Sequence, residues 1–184
     1  MFTLGSSFDT DPQYPWIAQH LRPSELEDTQ TLACRLYAEF ANYQESVAGV
    51  ANKFALAALQ RVVQWQGEEL RPPVADLDRA MLTVMRKLYP EKAAYLGAES
   101  MAEITQRAAV EATGFGLSPT MGTAILGGMM VAFGSGVCSD PLYPWVSRTL
   151  TDPLLASPGA RLERLFNKVK TYAANAAEYL AGSN

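Results

Sequence analysis

The sequence predicts an all-α fold, a single-domain orthogonal bundle of six to eight helices, and two observations carry that prediction. Apolar residues recur at three- and four-residue spacing through most of the chain, which is the period of an amphipathic helix. No stretch alternates apolar and polar residues over the length of a strand, and no Asn-Gly pair offers a hairpin turn. Because 184 residues is the length of one domain, we expect residues 1–184 to share one core.

The centre of the bundle is predicted at residues 118–133. They lie within a run of 28 uncharged residues, 112–139. Ser118 is a suitable N-cap and Pro119 suits the first helical position. Gly134 and Gly136, just after residue 133, offer a stop. A helix that is apolar on every side needs other helices around it. A ridge of small residues predicts where a neighbouring helix approaches closely: Ala124, Gly128 and Ala132.

Capping residues, prolines and glycines predict where the other helices begin and end. A capping box at Ser24 opens a long amphipathic stretch in which Gly49 is the expected break, and Gly97 separates two later helices. The predicted ranges are 15–21, 24–65 (divided at Gly49), 76–88, 91–96, 100–113, 144–150 and 157–180.

An internal repeat is predicted from a comparison of residues 1–21 with residues 130–150. Nine positions are identical at an offset of 129, and five of them fall in one block, Asp-Pro-x-Tyr-Pro-Trp, which contains two of the three tryptophans. The identical pairs are Met1/Met130, Gly5/Gly134, Ser6/Ser135, Asp11/Asp140, Pro12/Pro141, Tyr14/Tyr143, Pro15/Pro144, Trp16/Trp145 and Leu21/Leu150. We therefore expect the two segments to adopt the same backbone.

Each copy of this block is predicted to form a stiff corner, a turn followed by a short helix. Asp at the first position and Pro at the second fit a type I turn, and the second Pro suits the start of a helix. The predicted corner residues are Asp11, Pro12, Pro15, Asp140, Pro141 and Pro144.

Because the first copy has no helix before it, we expect residues 1–8 to lie against the bundle, anchored by three apolar side chains: Phe2, Leu4 and Phe8.

The aromatic residues of the two corners are the candidate interaction residues: Tyr14, Trp16, Tyr143 and Trp145. In one interpretation they fill the gap between helices, with Trp16 against Leu32 and Leu36, and Trp145 against Leu165 and Val169. In the other they form a docking surface, since Trp and Tyr are common anchors of protein interfaces.

Composition excludes several classes of function. A net charge of −4 argues against binding to nucleic acid or to an anionic membrane. His20, Cys34 and Cys138 supply neither zinc-ligand spacing nor a catalytic triad, so no catalytic residue, metal or cofactor is predicted. The absence of a basic start before the first apolar residues predicts no secretory signal, and two cysteines fit a cytoplasmic protein with reduced thiols.

These observations favour a non-enzymatic helical interaction or adaptor protein that forms a homo-oligomer or binds a protein partner. One alternative is an enzyme or small-ligand binder whose pocket lies beside the central helix and uses carboxylates such as Glu111. Another is a protein whose central helix enters a membrane after the bundle opens, although its uncharged core, residues 117–133, has only 17 residues and is short for a bilayer.

Overall fold

The chain folds into eight α-helices and one 3₁₀ helix within the part that a computed structural model describes. That part comprises residues 5–20, 28–66, 77–155 and 157–182, without the side chains of Ala18 and His20. No strand occurs in these ranges, and the predicted all-α class is confirmed. The helices are α1 Pro15–His20, α2 Thr29–Ala48, the 3₁₀ helix Val50–Asn52, α3 Lys53–Gln64, α4 Leu77–Leu88, α5 Pro90–Gly114, α6 Met121–Phe133, α7 Pro144–Leu150 and α8 Pro158–Gly182.

Helix α6 is the buried central helix, as predicted, but it begins at Met121 rather than just after Ser118. Eleven of its 13 residues are buried. Residues 118–120 form a turn ahead of the helix, in which the Ser118 hydroxyl lies 3.4 Å from the Met121 N–H and its carbonyl accepts from Gly122 N–H. Ser118 thus covers the helix start from the preceding turn. The predicted stop is confirmed, because Gly134 ends α6 with a φ of 107°.

The tightest positions of α6 are Gly122 and Gly127, and neither belongs to the ridge of small residues that the sequence predicts. A Cβ at Gly122 would lie 2.8 Å from Leu117 Cβ, and one at Gly127 would lie 2.6 Å from Met81 Cε. A Cβ at Gly128 would make an ordinary contact, 3.5 Å from Met85 Cε. The predicted ridge therefore does contact a neighbouring helix, since Met85 belongs to α4, but α6 is packed more tightly at Gly122 and Gly127.

The helix that follows the first corner begins later than predicted. Asp28 is its N-cap, and the carboxylate accepts from the N–H groups of Gln30 and Thr31 at 3.0 Å each. Because Asp28 satisfies these two free N–H groups, it sets the start of α2 at Thr29. The capping box at 24–27 lies outside the described residues. The predicted break is confirmed, since α2 ends at Ala48 and Gly49 has a φ of 76°.

Helix α5 joins two predicted helices into one element. Gly97 has a φ of 72° and interrupts the helical dihedral angles, so the predicted break is present. The helix resumes directly after it, which places Ser100 inside α5 rather than at a helix start. A left-handed glycine thus turns the helix without a loop.

Two apolar clusters hold the described elements together. The larger cluster surrounds α6 and draws on α3, α4, α5, α7 and α8. The smaller joins α1 to the C-terminal half of α2, through Tyr14, Ile17, Tyr43 and Val47. Within the described ranges, none of the helices combines the length and the apolar character that crossing a bilayer requires.

Candidate functional site

The two predicted corners have the same local geometry. In the first, the Asp11 carboxylate accepts from Gln13 N–H at 3.0 Å and its carbonyl accepts from Tyr14 N–H at 3.0 Å. In the second, Asp140 makes the matching bonds to Leu142 N–H at 2.8 Å and Tyr143 N–H at 3.0 Å. Each second Pro is then the first residue of a helix, Pro15 of α1 and Pro144 of α7. Pro12 is half-buried, and Pro141, Pro15 and Pro144 are exposed.

The corners also bind each other crosswise. Asp11 Oδ2 accepts from Ser135 N–H at 2.6 Å, and Asp140 Oδ2 accepts from Ser6 N–H at 2.7 Å. Ser6 and Ser135 are themselves equivalent at the offset of 129, so each aspartate fixes the loop of the other copy. Both aspartates are buried, which makes these charge-assisted bonds stronger than exposed ones.

A glycine is needed where the two loops meet. Gly5 has a φ of 79°, and a Cβ there would lie 2.9 Å from the Phe133 carbonyl oxygen and 3.3 Å from Asp140 Oδ2. Residues 5–7 therefore lie against the second corner through their backbone. The prediction that Phe8 anchors this segment is wrong, since Phe8 is 40% exposed. Phe2 and Leu4 lie outside the described residues.

The candidate aromatic residues face the interior. Tyr14 and Tyr143 are buried, and Trp16 and Trp145 are half-buried. This burial favours the interpretation in which they fill gaps between helices, and an intermolecular role for them stays a hypothesis.

Each corner packs on a tyrosine of the long helix that follows it. Tyr14 meets Tyr43 edge to face with ring centroids 5.2 Å apart, and Trp16 lies 6.4 Å from the same ring. In the second copy, Tyr143 and Trp145 each lie 6.2 Å from Tyr172. The predicted packing of the Trp16 ring against Leu32 and Leu36 is wrong, because α1 packs against the C-terminal half of α2.

The equivalence of the two copies extends beyond the segments that the sequence comparison covered. Tyr43 and Tyr172 are separated by 129 residues, the same offset as the corners. Read at this offset, α2 matches the first part of α8, and the identical residues of the two helices are Arg35/Arg164, Leu36/Leu165, Tyr43/Tyr172 and Ala48/Ala177. Sequence reasoning missed this match because the identities are scattered, although the constant offset was a usable signal. That the copies arose by duplication stays a prediction.

The first corner differs from the second in its buried polar groups. Gln13 is fully buried, and its side-chain amide donates to the Met130 carbonyl at 2.7 Å. The Lys92 ammonium lies 6.0 Å from the centre of the Tyr14 ring. Burial lowers the pKa of Lys92 to about 7, although the nearby Asp11 carboxylate opposes the shift. Leu142, the residue equivalent to Gln13, is 60% exposed.

Other buried groups near the corners are held in their neutral forms. Burial raises the pKa of Tyr14 and of Tyr43 above the ordinary value, and each is raised further by a nearby ionisable group. Burial also raises the pKa of the Cys138 thiol to about 12, and the Glu111 carboxylate adds to the shift. A thiol with so high a pKa is a poor nucleophile at neutral pH.

Space beside the central helix is small. The cavity between α3, α4, α6 and α8 measures about 30 Å³ and is lined by apolar and aromatic side chains, among them Trp65, Met129 and Phe166. A pocket for a typical small-molecule ligand measures about 300–1,000 Å³, so this cavity is too small for one. Glu111 is half-buried and does not line this cavity. Across the described ranges, no three metal-ligating side chains of the Cys, His, Asp and Glu types come together.

The long helices of the two copies, α2 and α8, differ most in which of their side chains are covered by other parts of the protein. On α8, Phe166 meets the Trp65 ring edge to face at 5.6 Å, and Lys170 donates to the Trp65 carbonyl at 3.2 Å. The equivalent residues of α2, Tyr37 and Ala41, are exposed, with 75% of Tyr37 accessible. Leu162 is buried on α8, and its equivalent Ala33 is exposed.

The uncovered side of α2 is defined here by its exposed residues at helical spacing, which are Ala33, Cys34, Tyr37 and Ala41. Leu36 and Phe40 lie beside it and are half-buried.

Comparisons with known proteins find no matching family model, no matching curated protein and no matching solved structure.

Proposed function

We propose that the protein is a non-enzymatic helical interaction protein that self-associates through the uncovered side of α2. The observation that supports this proposal is the contrast between Tyr37, which is 75% exposed, and its equivalent Phe166, which Trp65 covers. The same side of two related helices is thus covered by Trp65 on α8 and exposed to solvent on α2. Tyr is among the residues that most often anchor protein interfaces.

A second copy of the chain suits this side of α2. Its four exposed residues are uncharged, so two copies can meet without electrostatic repulsion. Alanines one turn before and one turn after Tyr37 leave room for the backbone of another helix. In an antiparallel pair related by a two-fold axis, each Tyr37 ring would cover the alanines of the other chain, which is the self-complementary arrangement of a symmetric dimer.

Light scattering coupled to gel filtration tests the proposal across a dilution series. We expect the wild type to form a dimer that dissociates on dilution, and Tyr37→Glu to be a monomer at every concentration because it places charges on both sides of the two-fold axis. Tyr179→Glu is the matched control, since Tyr179 is 72% exposed on α8 and should leave the dimer intact. A wild-type monomer at every concentration would overturn self-association, and equal loss in the two variants would place the interface elsewhere.

Cross-linking tests the position of the interface without any mutation. Cys34 lies on the uncovered side of α2 and is exposed, whereas Cys138 is buried, so a thiol reagent selects Cys34. We expect a short bismaleimide to join two chains in the wild type and to leave Tyr37→Glu as single chains. Cross-linking of both proteins to the same extent would contradict an interface on α2.

A further inference from the structure

The connection between α2 and α3 forms one wall of an open groove. The groove measures about 590 Å³, which is within the range of small-molecule binding sites. Its other walls are the last two turns of α2 and two residues of α8, Tyr179 and Leu180. A ligand that is too large for the cavity beside α6 therefore has room here.

The connection is held in a strained backbone conformation. Gly49 has a φ of 76°, and the non-glycine residues Ala51 and Asn52 have φ values of 51° and 59°, in a left-handed region that L-residues avoid. At the offset of 129, residues 49–52 correspond to residues 178–181, which lie within the regular helix α8. Strained non-glycine residues are concentrated at ligand-binding sites, and all four residues of this connection line the groove.

Two helix ends give the groove a negative electrostatic character. Helix α2 ends at Ala48 and α8 runs to Gly182, and the last turn of each contributes to the walls. The C-terminal end of a helix carries a partial negative charge, and its last carbonyl groups have no N–H partners within the helix. Neither of these two described helices has a basic residue in its last turn to offset that charge. Glu45, which is exposed and lines the groove, adds a full negative charge.

The positive groups near the groove do not cancel this charge. Among the described residues that line the groove, none is basic. Lys53 follows the connection directly, but its ammonium lies 4.7 Å from the centre of the Phe54 ring and it is not part of the wall. Helix α3 begins at Lys53 with a partial positive charge, which offsets one of the two helix C-terminal ends. The other end and Glu45 leave the groove negative.

Aromatic and apolar side chains form the rest of the walls. Tyr43, Val47 and Leu180 are buried along the groove, whereas Tyr179 is 72% exposed and Val50 is 67% exposed. The face of a tyrosine ring attracts a cation, and apolar side chains favour a ligand that brings apolar surface of its own. The groove thus combines negative charge, aromatic rings and apolar walls.

We propose that this groove binds a small organic cation, a primary or quaternary ammonium group joined to an aromatic or aliphatic body. The ammonium would lie near Glu45 and the carbonyl end of α2, and the body would contact Val50 and Tyr179. Charge complementarity favours a cation over an anion, and the apolar walls favour an organic cation over a hydrated metal ion. The site does not include the uncovered side of α2, so it goes beyond the proposed function.

Ligands of similar shape and different charge test the proposal. The cations are 2-phenylethylamine and benzyltrimethylammonium, 2-phenylethanol is the neutral counterpart and phenylacetate is the anion. Nuclear magnetic resonance follows the backbone amide signals of the labelled protein during each titration. We expect the cations to shift the signals of Gly49, Val50 and Asn52 saturably, and to bind about tenfold more tightly than the alcohol because they add a charged contact. Added salt should weaken the cations and not the alcohol.

Two glutamine variants test the role of the charge. Glu45→Gln keeps the shape of the side chain and should weaken the cations about tenfold while leaving the alcohol unchanged. Glu178→Gln is the matched control, because Glu178 is exposed on α8, next to Tyr179 in the sequence, but does not line the groove. It should bind the cations as the wild type does. Tyr179→Ala should weaken the cations and the alcohol alike, because it removes part of an apolar wall.

Several results would overturn the proposal. The groove is not a cation site if neither cation causes saturable shifts, if the shifts lie outside the groove, or if phenylacetate binds as tightly as the cations. Equal losses in Glu45→Gln and Glu178→Gln would show attraction to the protein surface in general. Tyr37→Glu, which should be a monomer, should bind the cations like the wild type, so failure of self-association through α2 leaves these results unaffected.

Discussion

Asp11 and Asp140 each hold the loop that precedes the other. Asp11 accepts from Ser135 N–H at 2.6 Å, Asp140 accepts from Ser6 N–H at 2.7 Å, and the four residues are pairwise equivalent in the two copies. Only Asp11 also accepts from the Gln13 side chain, at 3.3 Å, and its donors are buried whereas those of Asp140 are partly exposed. Both carboxylates thus hold the loop of the other copy, but they differ in which hydrogen-bond donors lose an acceptor when the carboxylate is removed.

Removal of these carboxylates should destabilise the protein unequally. Asp11→Ala leaves two buried backbone N–H groups without an acceptor and takes one of the two acceptors of the buried Gln13 amide, so we expect it to cost about 3–5 kcal/mol. Asp140→Ala should cost about 1–3 kcal/mol, because it leaves only backbone donors. Urea unfolding measures both, with the exposed Asp9→Ala as a control that should change little. Equal costs for the two corner variants would contradict the role assigned to the burial of the donors and to the Gln13 amide.

Lys92 should make stability rise between pH 7 and pH 9. Its pKa in the folded protein is about 7, below the ordinary 10.5, so the unfolded chain binds the additional proton in this range. The free energy of unfolding should therefore increase by about 1.4 kcal/mol per pH unit. Between pH 9 and pH 10.5 the rise should level off, because folding raises the pKa of Cys138 to about 12 and ionisation of the unfolded thiol offsets the contribution of Lys92. Lys92→Met should flatten the rise, and an unchanged slope in that variant would assign it to another group.

Two glycines of α6 should respond in opposite directions to the same substitution. Gly122→Ala places a methyl group 2.8 Å from Leu117 Cβ and 3.2 Å from Ala112 Cβ, neither of which can move without the backbone, so we expect a loss of about 1–3 kcal/mol. Gly128→Ala finds an ordinary contact and gains helix propensity, so it should be neutral or stabilising by up to about 1 kcal/mol. Thermal unfolding compares the pair, and a more damaging change at Gly128 would contradict the packing of α6.

The two corner tryptophans should both stabilise the fold. Trp145 lies 6.4 Å from the Phe133 ring and 6.2 Å from the Tyr172 ring, and Trp16 lies 6.4 Å from the Tyr43 ring. Truncation of either to Ala should cost about 3 kcal/mol, the lower end for an aromatic residue because both are half-buried. Chemical unfolding gives the values. A variant that unfolds like the wild type yet loses self-association would show that its corner is a docking site.

The sequence was sufficient for the features that depend on local chemistry. The all-α class, the buried central helix, the break at Gly49 and the prolines that open α1 and α7 follow from periodicity, charge and the conformational limits of Gly and Pro. The predicted start of α2 was wrong because several acidic and hydroxyl residues in this stretch can cap a helix, and only the fold shows that Asp28 does so.

The tertiary relationships could not be read from the sequence. Nothing local to Asp11 indicates that its partner is Ser135, because that bond depends on how the whole bundle closes. The burial of Lys92 was missed for a related reason, since a charged residue near the start of α5 is typical of a solvated helix end. The exposure of Tyr37 likewise depends on tertiary packing, because Trp65, at the end of α3, packs on Phe166 of α8 and leaves the equivalent Tyr37 of α2 exposed.

The crosswise bonds of Asp11 and Asp140 also determine when the first corner can be completed. Both bonds join the same two loops, and they connect residues that lie 124 and 134 positions apart. As the chain is synthesised, Asp11 must wait for Ser135, so the loop of the first corner is made long before its partner loop and can close only after it. Either loop can open only by breaking both bonds. Hydrogen exchange at the amides of Ser6 and Ser135, which lie 129 positions apart in the sequence, should therefore report one common free energy of opening.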